Sequence, residues 1–309
     1  MRKYFGSQRG SYATKSRGRL WLPQHRASCR AMNSQCILIV ASTHCVASLN
    51  IKRQILRHYD FREIEKSHQG NSCFAAEVND QDVKLVTLNV EPVHTQTLLD
   101  HYPSTGLAVF LSRHSSVSGI PTLSVHAPGN LGDAELGGVA RQVSVSPAGF
   151  MRDVLKVMKR LRDDDDLDYE VSYECTHHGP SLRVPAMFAE LGGSSEQWDD
   201  PEAAEVVAHS VMSAIKYFGG DRCRAVLGVG GPHYNLKFTK LALEENVAFG
   251  HIVPKYAIGN IGLDILRMCV ARTLEKVESA ILDWKGIKGS EKPKLLDMLE
   301  EVGLSYKKV

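Results

Sequence analysis

Short apolar runs alternate along the chain with longer stretches that mix apolar and charged positions. "CILIVAS" (36–42) is a continuous apolar run, the pattern of a strand buried on both faces. Residues 44–58 have the length and mixture of a helix, with Leu49, Ile51, Ile55 and Leu56 as its apolar members. "FAAEV" and "VKLVTLNV" (83–90) read as strands around a turn at Asn79-Asp80. "LAVFLS" (107–112) and "TLSVHAP" (122–128) read as two more, joined by the Ser/Gly/Pro loop "RHSSVSGIP". Pro147 opens a predicted helix to about Arg162, with Ser146 as a candidate N-cap, and "DDDD" (163–166) stops it. A strand is expected over 168–176. Asp200-Pro201 pairs an N-cap with proline at the first helical position, predicting a helix to about Phe218. "RAVLGVGG" (224–231) reads as a buried strand entering a glycine turn, "PHYNLKFTKLALEEN" as a helix and "AFGHIVP" as a strand. Helices are predicted over about 261–283 and 293–302, and "LSYKKV" as a last short strand.

Strands alternating with helices, with strand pairs inserted, predict an α/β fold: a layered, mixed β-sheet flanked by helices. Neither a repeat nor a linker interrupts 32–309, which is expected to form a single domain. No apolar run approaches the roughly 18–20 residues of a membrane span. The seven cysteines are scattered and form no C-x-x-C pair. That argues against a disulfide scaffold and for a reducing, cytoplasmic setting.

The net charge of +2 hides an asymmetry. Residues 1–31 carry eight Lys or Arg and no acid, which leaves 29 basic against 35 acidic residues in 32–309, a net of −6. The basic segment is rich in Ser and Gly and reads as a disordered extension. It fits a presequence or a nucleic-acid-binding arm. It equally fits sequence lying upstream of a start at Met32, where "MNSQCILIVAS" opens directly on the first strand.

Candidate chemistry gathers at turns that follow predicted strands. "YECTHHGPSL" (173–182) puts Glu174, Cys175, His177 and His178 before Gly-Pro. His114 follows "LAVFL", His126 closes the next strand, and His233 lies in the glycine turn "GVGGPHY". Open α/β sheets collect ligands at the carboxyl ends of their strands, so these turns can converge. Zinc takes imidazole nitrogen, thiolate and carboxylate, although no standard zinc spacing is present. A metal site, an acid–base site and a hydrogen-bonded turn all remain open at this level. In an ideal strand Glu174 shares a face with His178, and Cys175 with His177. His177 and His178 are therefore expected to be unequal in importance. Asp133 and Glu135 stand beside the "HAPGN" turn, where Glu135 is a candidate ligand or general base.

Taken together, "FLSRHSSVSGIPTLSVHAPGN", "THHGP", "GVGGPHY" and "WKGIKGSEKPKLLDMLEEVGL" resemble the D-aminoacyl-tRNA deacylases of the archaeal and plant type, from about Ile37 to the C-terminus. The resemblance implies hydrolysis of the ester between a D-amino acid and tRNA, Zn2+ as cofactor, and a fold distantly like peptidyl-tRNA hydrolases and phosphorylases. The plant members imply a further role in clearing aldehyde-modified aminoacyl-tRNAs. Such an ester is already activated, so water delivery and oxyanion stabilisation suffice, and a cation can supply both. His126, Glu174, His177 and His178 are the candidate metal ligands; His114, His233 and Glu135 are the candidate acid–base groups. Competing readings are another metal-dependent hydrolase using the same cluster, an amidase or a peptidyl-tRNA hydrolase-like enzyme, and a noncatalytic RNA-binding protein.

An RNA substrate needs phosphate contacts, and an acidic body must concentrate its positive charge. Arg152, Lys156, Lys159 and Arg160 fall near one face of the predicted helix at 150–162. Lys285, Lys288, Lys292 and Lys294 are expected on a Gly-containing loop suited to backbone contacts. The protein is expected to act as a monomer, away from membranes.

Overall fold

The computed structural model describes residues 36–115, 119–219 and 223–309. The basic segment 1–31 lies outside them. The larger sheet is built from β1 (Cys36–Ser42), β2 (Arg62–His68), β3 (Asn71–Val78), β4 (Gln81–Leu88), β5 (Thr105–Ser115), β6 (Thr122–His126), β7 (Glu170–Tyr173) and β8 (Ala186–Gly193). Its spatial order is β2-β3-β4-β1-β5-β8-β6-β7. β1 pairs parallel with β4 and β5, and β5 parallel with β8, whereas β6 runs antiparallel to β8. The expected mixed sheet is therefore present. A second, parallel sheet holds β9 (Arg224–Val229), β10 (Val247–Val253), β11 (Val277–Leu282) and β12 (Tyr306–Lys308) in the order β10-β9-β11-β12.

The helices are α1 (Val46–His58), α2 (Leu98–His101), α3 (Ala148–Asp164), α4 (Ser195–Trp198), α5 (Pro201–Lys216), α6 (Leu236–Glu244), α7 (Leu263–Ala271) and α8 (Lys292–Val302). β1 shows why its sequence is apolar throughout. Ile37, Ile39 and Ala41 pack on one face with Ile51 and Ile55 of α1, Val154 of α3 and Val211 of α5. Leu38 and Val40 pack on the other with Leu98, Phe110 and Phe188. Both faces are covered along 37–41, which favours apolar residues there, and the buried Ser42 at the strand's end is satisfied by donating to Val90 O (2.8 Å).

Two elements depart from expectation. The helix predicted over 261–283 ends at Ala271, and "VESAIL" is strand β11, inserted between β9 and β12. Short apolar runs do not distinguish buried strand from buried helix by periodicity, and pairing on both sides decides it. "REIEKSH" (62–68) forms β2, an edge strand with little apolar content to announce it.

The site is positioned by the segment that leaves β7. Asn235 N donates to Tyr173 O (2.9 Å), Cys175 N to His233 O (2.9 Å), and Thr176 N to Ile252 O (2.9 Å). Residues 173–176 therefore sew the end of the large sheet to the β9–α6 turn and to β10. Asn235 holds that turn from within: its Oδ1 accepts from Phe238 N (3.0 Å), capping α6, and its Nδ2 donates to Gly230 O (3.0 Å). Gly231 carries φ +77°, and a Cβ there would sit 2.2 Å from Asn235 Nδ2, so the turn requires glycine.

Candidate active site

The histidine turns converge. His126 ends β6, His114 lies within β5, His233 comes from the β9–α6 turn, and Glu174, His177 and His178 follow β7. His114 is thus a strand residue, although the loop after "LAVFLS" was expected to begin before it. β7 also ends three residues earlier than predicted, at Tyr173. By His178 the backbone is left-handed (φ 43°), so strand alternation has lapsed. Both rings consequently meet His126: ring centroids are 4.2 Å apart for His126–His177, 4.8 Å for His126–His178 and 4.3 Å for His177–His178. The expectation that these two histidines face opposite ways is corrected by the early strand end.

Glu174, 1% exposed, is the hub. Its Oε2 accepts from His114 Nδ1 (2.9 Å) and His233 Nε2 (2.8 Å), and its Oε1 from Ser124 Oγ. Burial opposes its charge, but the bonds from His114 and His233 hold its carboxyl well below the ordinary range. Burial likewise disfavours charge on both imidazoles. Hydrogen bonds to Glu174 and Glu190 nonetheless push His114 up to about 10, and those with Cys175 and Glu174 push His233 up to about 10. Glu190, buried on β8, lies 3.3 Å from His114 Nδ1 and 3.7 Å from His126 Nε2.

The other three imidazoles are arranged differently. His177 Nδ1 donates to Cys175 O (2.8 Å) and His178 Nδ1 to Gly179 O (2.7 Å). A carbonyl only accepts, so each ring carries its proton on Nδ1 and leaves Nε2 as a bare lone pair. Both nitrogens of His126 are buried with no hydrogen-bond partner. Burial, followed by neighbouring imidazoles, pushes His177 well below its ordinary value and His178 down to about 4. One ligand nitrogen from each of the three lies within 4.8 Å of the others. His177 Nε2 also faces Glu174 Oε2 at 3.7 Å. Buried lone pairs facing one another and a carboxylate are costly without a cation, and imidazole nitrogens with outer-shell carbonyl bonds are the usual ligands of one. The residues present fit a metal ion.

Two clefts reach the cluster: one of about 250 Å³ is walled by Leu131, Asp133, Leu136 and Tyr256, and one of about 420 Å³ by Val93, Arg113, His114 and His233. His177 and His178 border both. Glu135 is exposed on the wall of the first, away from the buried hub. Sequence reasoning missed Glu190, Ser124 and Tyr256. The first two lie in uniformly buried strands where a polar residue among apolar ones was the available signal. Tyr256 Oη sits 3.2 Å from Cys175 Sγ and 3.4 Å from His233 Nδ1.

The expected basic faces are rearranged. Arg152 is 4% exposed and bonds Asp153 Oδ1 (2.8 Å) and Asn246 Oδ1 (2.6 Å), because it sits where α3 meets the start of β10. Lys159 pairs with Asp163, leaving Lys156 and the exposed Arg160. Lys285 and Lys288 are exposed in the stretch before α8, but Lys292 and Lys294 belong to α8 and not to a loop. Lys294 Nζ donates to Ile261 O (3.1 Å). Lys292 and Lys308 place Nζ 4.4 and 3.9 Å from the ring centroid of Trp284.

Fold and centre together define an α/β protein with a buried, histidine-rich site able to hold a metal ion at the meeting of two sheets. Residues 101–307 match the model of a family described as D-aminoacyl-tRNA deacylase. A D-aminoacyl-tRNA deacylase of Pyrococcus abyssi is 35% identical over 268 residues, 84% of this chain and 95% of the relative. One of Methanosarcina barkeri is 36% identical over 281 residues, 88% and 89% of the two chains. A crystal structure described as a conserved protein of unknown function superposes with TM-score 0.78 at 29% identity, over 89% of this chain and 95% of that one. The chain belongs to the D-aminoacyl-tRNA deacylase family. No helix among the described residues is long and apolar enough to cross a membrane.

Proposed function

We propose that the protein hydrolyses the ester joining a D-amino acid to the terminal ribose of tRNA, with Zn2+ held by His126, His177 and His178 beside Glu174. The observation that carries this reading is the set of three imidazoles, one buried and two half-buried, whose free nitrogens converge without a donor. When bound, the ion supplies a Lewis acid for the ester carbonyl and lowers the pKa of water. The chain's own groups do the rest. Glu174, anchored by Ser124 and His114, orients His233 through Nε2. His233 has a side chain 32% exposed, so it can reach both cleft and hub and is the proton carrier of the site. His114 is more enclosed and fixes the carboxylate. Glu135 serves at the cleft mouth, where its exposure favours contact with substrate over contact with the ion.

For tRNA, Lys285, Lys288 and Lys292 with Trp284 form a basic patch. Gly286 in this patch lies against Gly231, in the turn that carries His233, which supports a backbone contact with RNA near the site. Every residue of the centre comes from one chain, so a monomer suffices. The free thiols of Cys36, Cys45, Cys73, Cys175, Cys223 and Cys269 suit the cytoplasm.

The test is deacylation of D-aminoacyl-tRNA before and after chelation. Stripped protein is expected to lose turnover and to regain it with zinc, with about one equivalent retained in the untreated protein and lost from His126→Ala. Full activity in metal-free protein would remove the cation from the reading while leaving the substrate assignment to stand.

A further inference from the structure

A second group of metal-ligating side chains lies far along the chain from the centre, where α1 ends against α5. His58 is the last residue of α1, and Glu205 and His209 stand one turn apart on α5. One ligand atom from each lies within 4.8 Å of the others. His58 Nε2 is 3.3 Å from Glu205 Oε2, and His209 Nε2 is 3.4 Å from Glu205 Oε1. Two ligands bound at about 2.0–2.1 Å to a tetrahedral ion stand about 3.4 Å apart, so each imidazole lies at ligand spacing from one of the two oxygens of Glu205. A second observation concerns the other side of His209. Tyr59 Oη lies 2.7 Å from its Nδ1, the kind of outer-shell bond that fixes ring orientation in metal sites. With a cation bound, this hydroxyl would accept from Nδ1–H and leave the Nε2 lone pair for the ion. The three side chains are 29%, 39% and 33% exposed, so water can complete the coordination.

We propose that His58, Glu205 and His209 form a second cation site that staples the end of α1 to α5. Two imidazoles and one carboxylate favour Zn2+, Cu2+ or Ni2+ over the oxygen-loving Mg2+ and Ca2+. The clip joins two helices that share the main core, with Ile51 and Ile55 of α1 and Val207 and Val211 of α5 in one cluster. Its effect is therefore read in stability, and the deacylase centre does not depend on it.

Full-length protein with its centre already loaded with zinc is titrated with ZnCl2 by calorimetry, with MgCl2 as control. One further equivalent per chain is expected, with a rise in melting temperature that MgCl2 does not give. His58→Gln and His209→Gln should each lose that equivalent and that rise, while keeping the parent's melting temperature in the absence of added zinc. Tyr59→Phe should keep the site but weaken it about tenfold. The proposal is overturned if the parent takes up no further zinc, or if either glutamine variant takes it up as tightly as the parent. Glu205 would then be shared between two imidazole donors without a metal.

Discussion

Glu174 ties together His114, His233 and Ser124 while facing His177, so it links the two imidazoles it holds to the three proposed to bind the metal. Glu174→Gln keeps its volume and removes the charge both imidazoles share. Turnover measured in single-turnover deacylation should fall about 10²–10⁴-fold with circular dichroism unchanged. A fall below tenfold would reduce the glutamate to a packing role. His177→Ala and His178→Ala, expected from strand parity to differ, should instead lose metal to a similar extent, because both rings pack on His126. His251 gives a separate pH signature. It is fully buried between Thr176 Oγ1 (3.1 Å) and Arg272 O (3.1 Å), and burial lowers it to about 4. The unfolded chain then binds the extra proton first as pH falls. Stability from this group is complete above about 6.5 and is lost progressively toward pH 4, on the order of 3 kcal/mol. Denaturation midpoints at pH 7.5 and 4.5 should converge in His251→Gln relative to the parent. An unchanged pH dependence would assign the loss to other groups.

Among elements, the β9–α6 turn has the most leverage on the site. Asn235 caps α6 and clamps Gly230 while the chain between them presents His233. Asn235→Ala should cost about 1–2 kcal/mol in urea denaturation, as the loss of a cap does, and should lower turnover as well. Stability lost without any change in turnover would separate the cap from the site. Elements such as β1, α5 and β9 were legible because each carries a local signal: a continuous apolar run, an Asp-Pro start, a strand running into glycines. β11 was not, since "VESAIL" becomes a strand only through partners 225–229 and 306–308. The site divided in the same way. Its histidines stood out at turn positions, whereas Glu190 was hidden within a strand. The grouping of His177 with His178 depended on where β7 stops, a boundary set by bonds to residues about 60 positions away.

For the whole molecule, RNA binding must come from local positive charge on an acidic body. Replacing Lys285, Lys288 and Lys292 with Ala should weaken binding of different tRNAs alike and reduce the log–log salt slope by roughly 2. Lys294→Ala should change it little, because that ammonium already bonds Ile261 O. Fluorescence titrations across salt concentrations would show this, and an unchanged slope would move the patch to Lys156 and Arg160. Substrate choice is read from the rate of amino-acid release from three matched substrates: D-aminoacyl-tRNA, L-aminoacyl-tRNA and N-blocked aminoacyl-tRNA. Rapid release from the D-ester and much slower release from the other two is expected. Release from the N-blocked substrate alone, or tRNA binding without release from any of them, would contradict it.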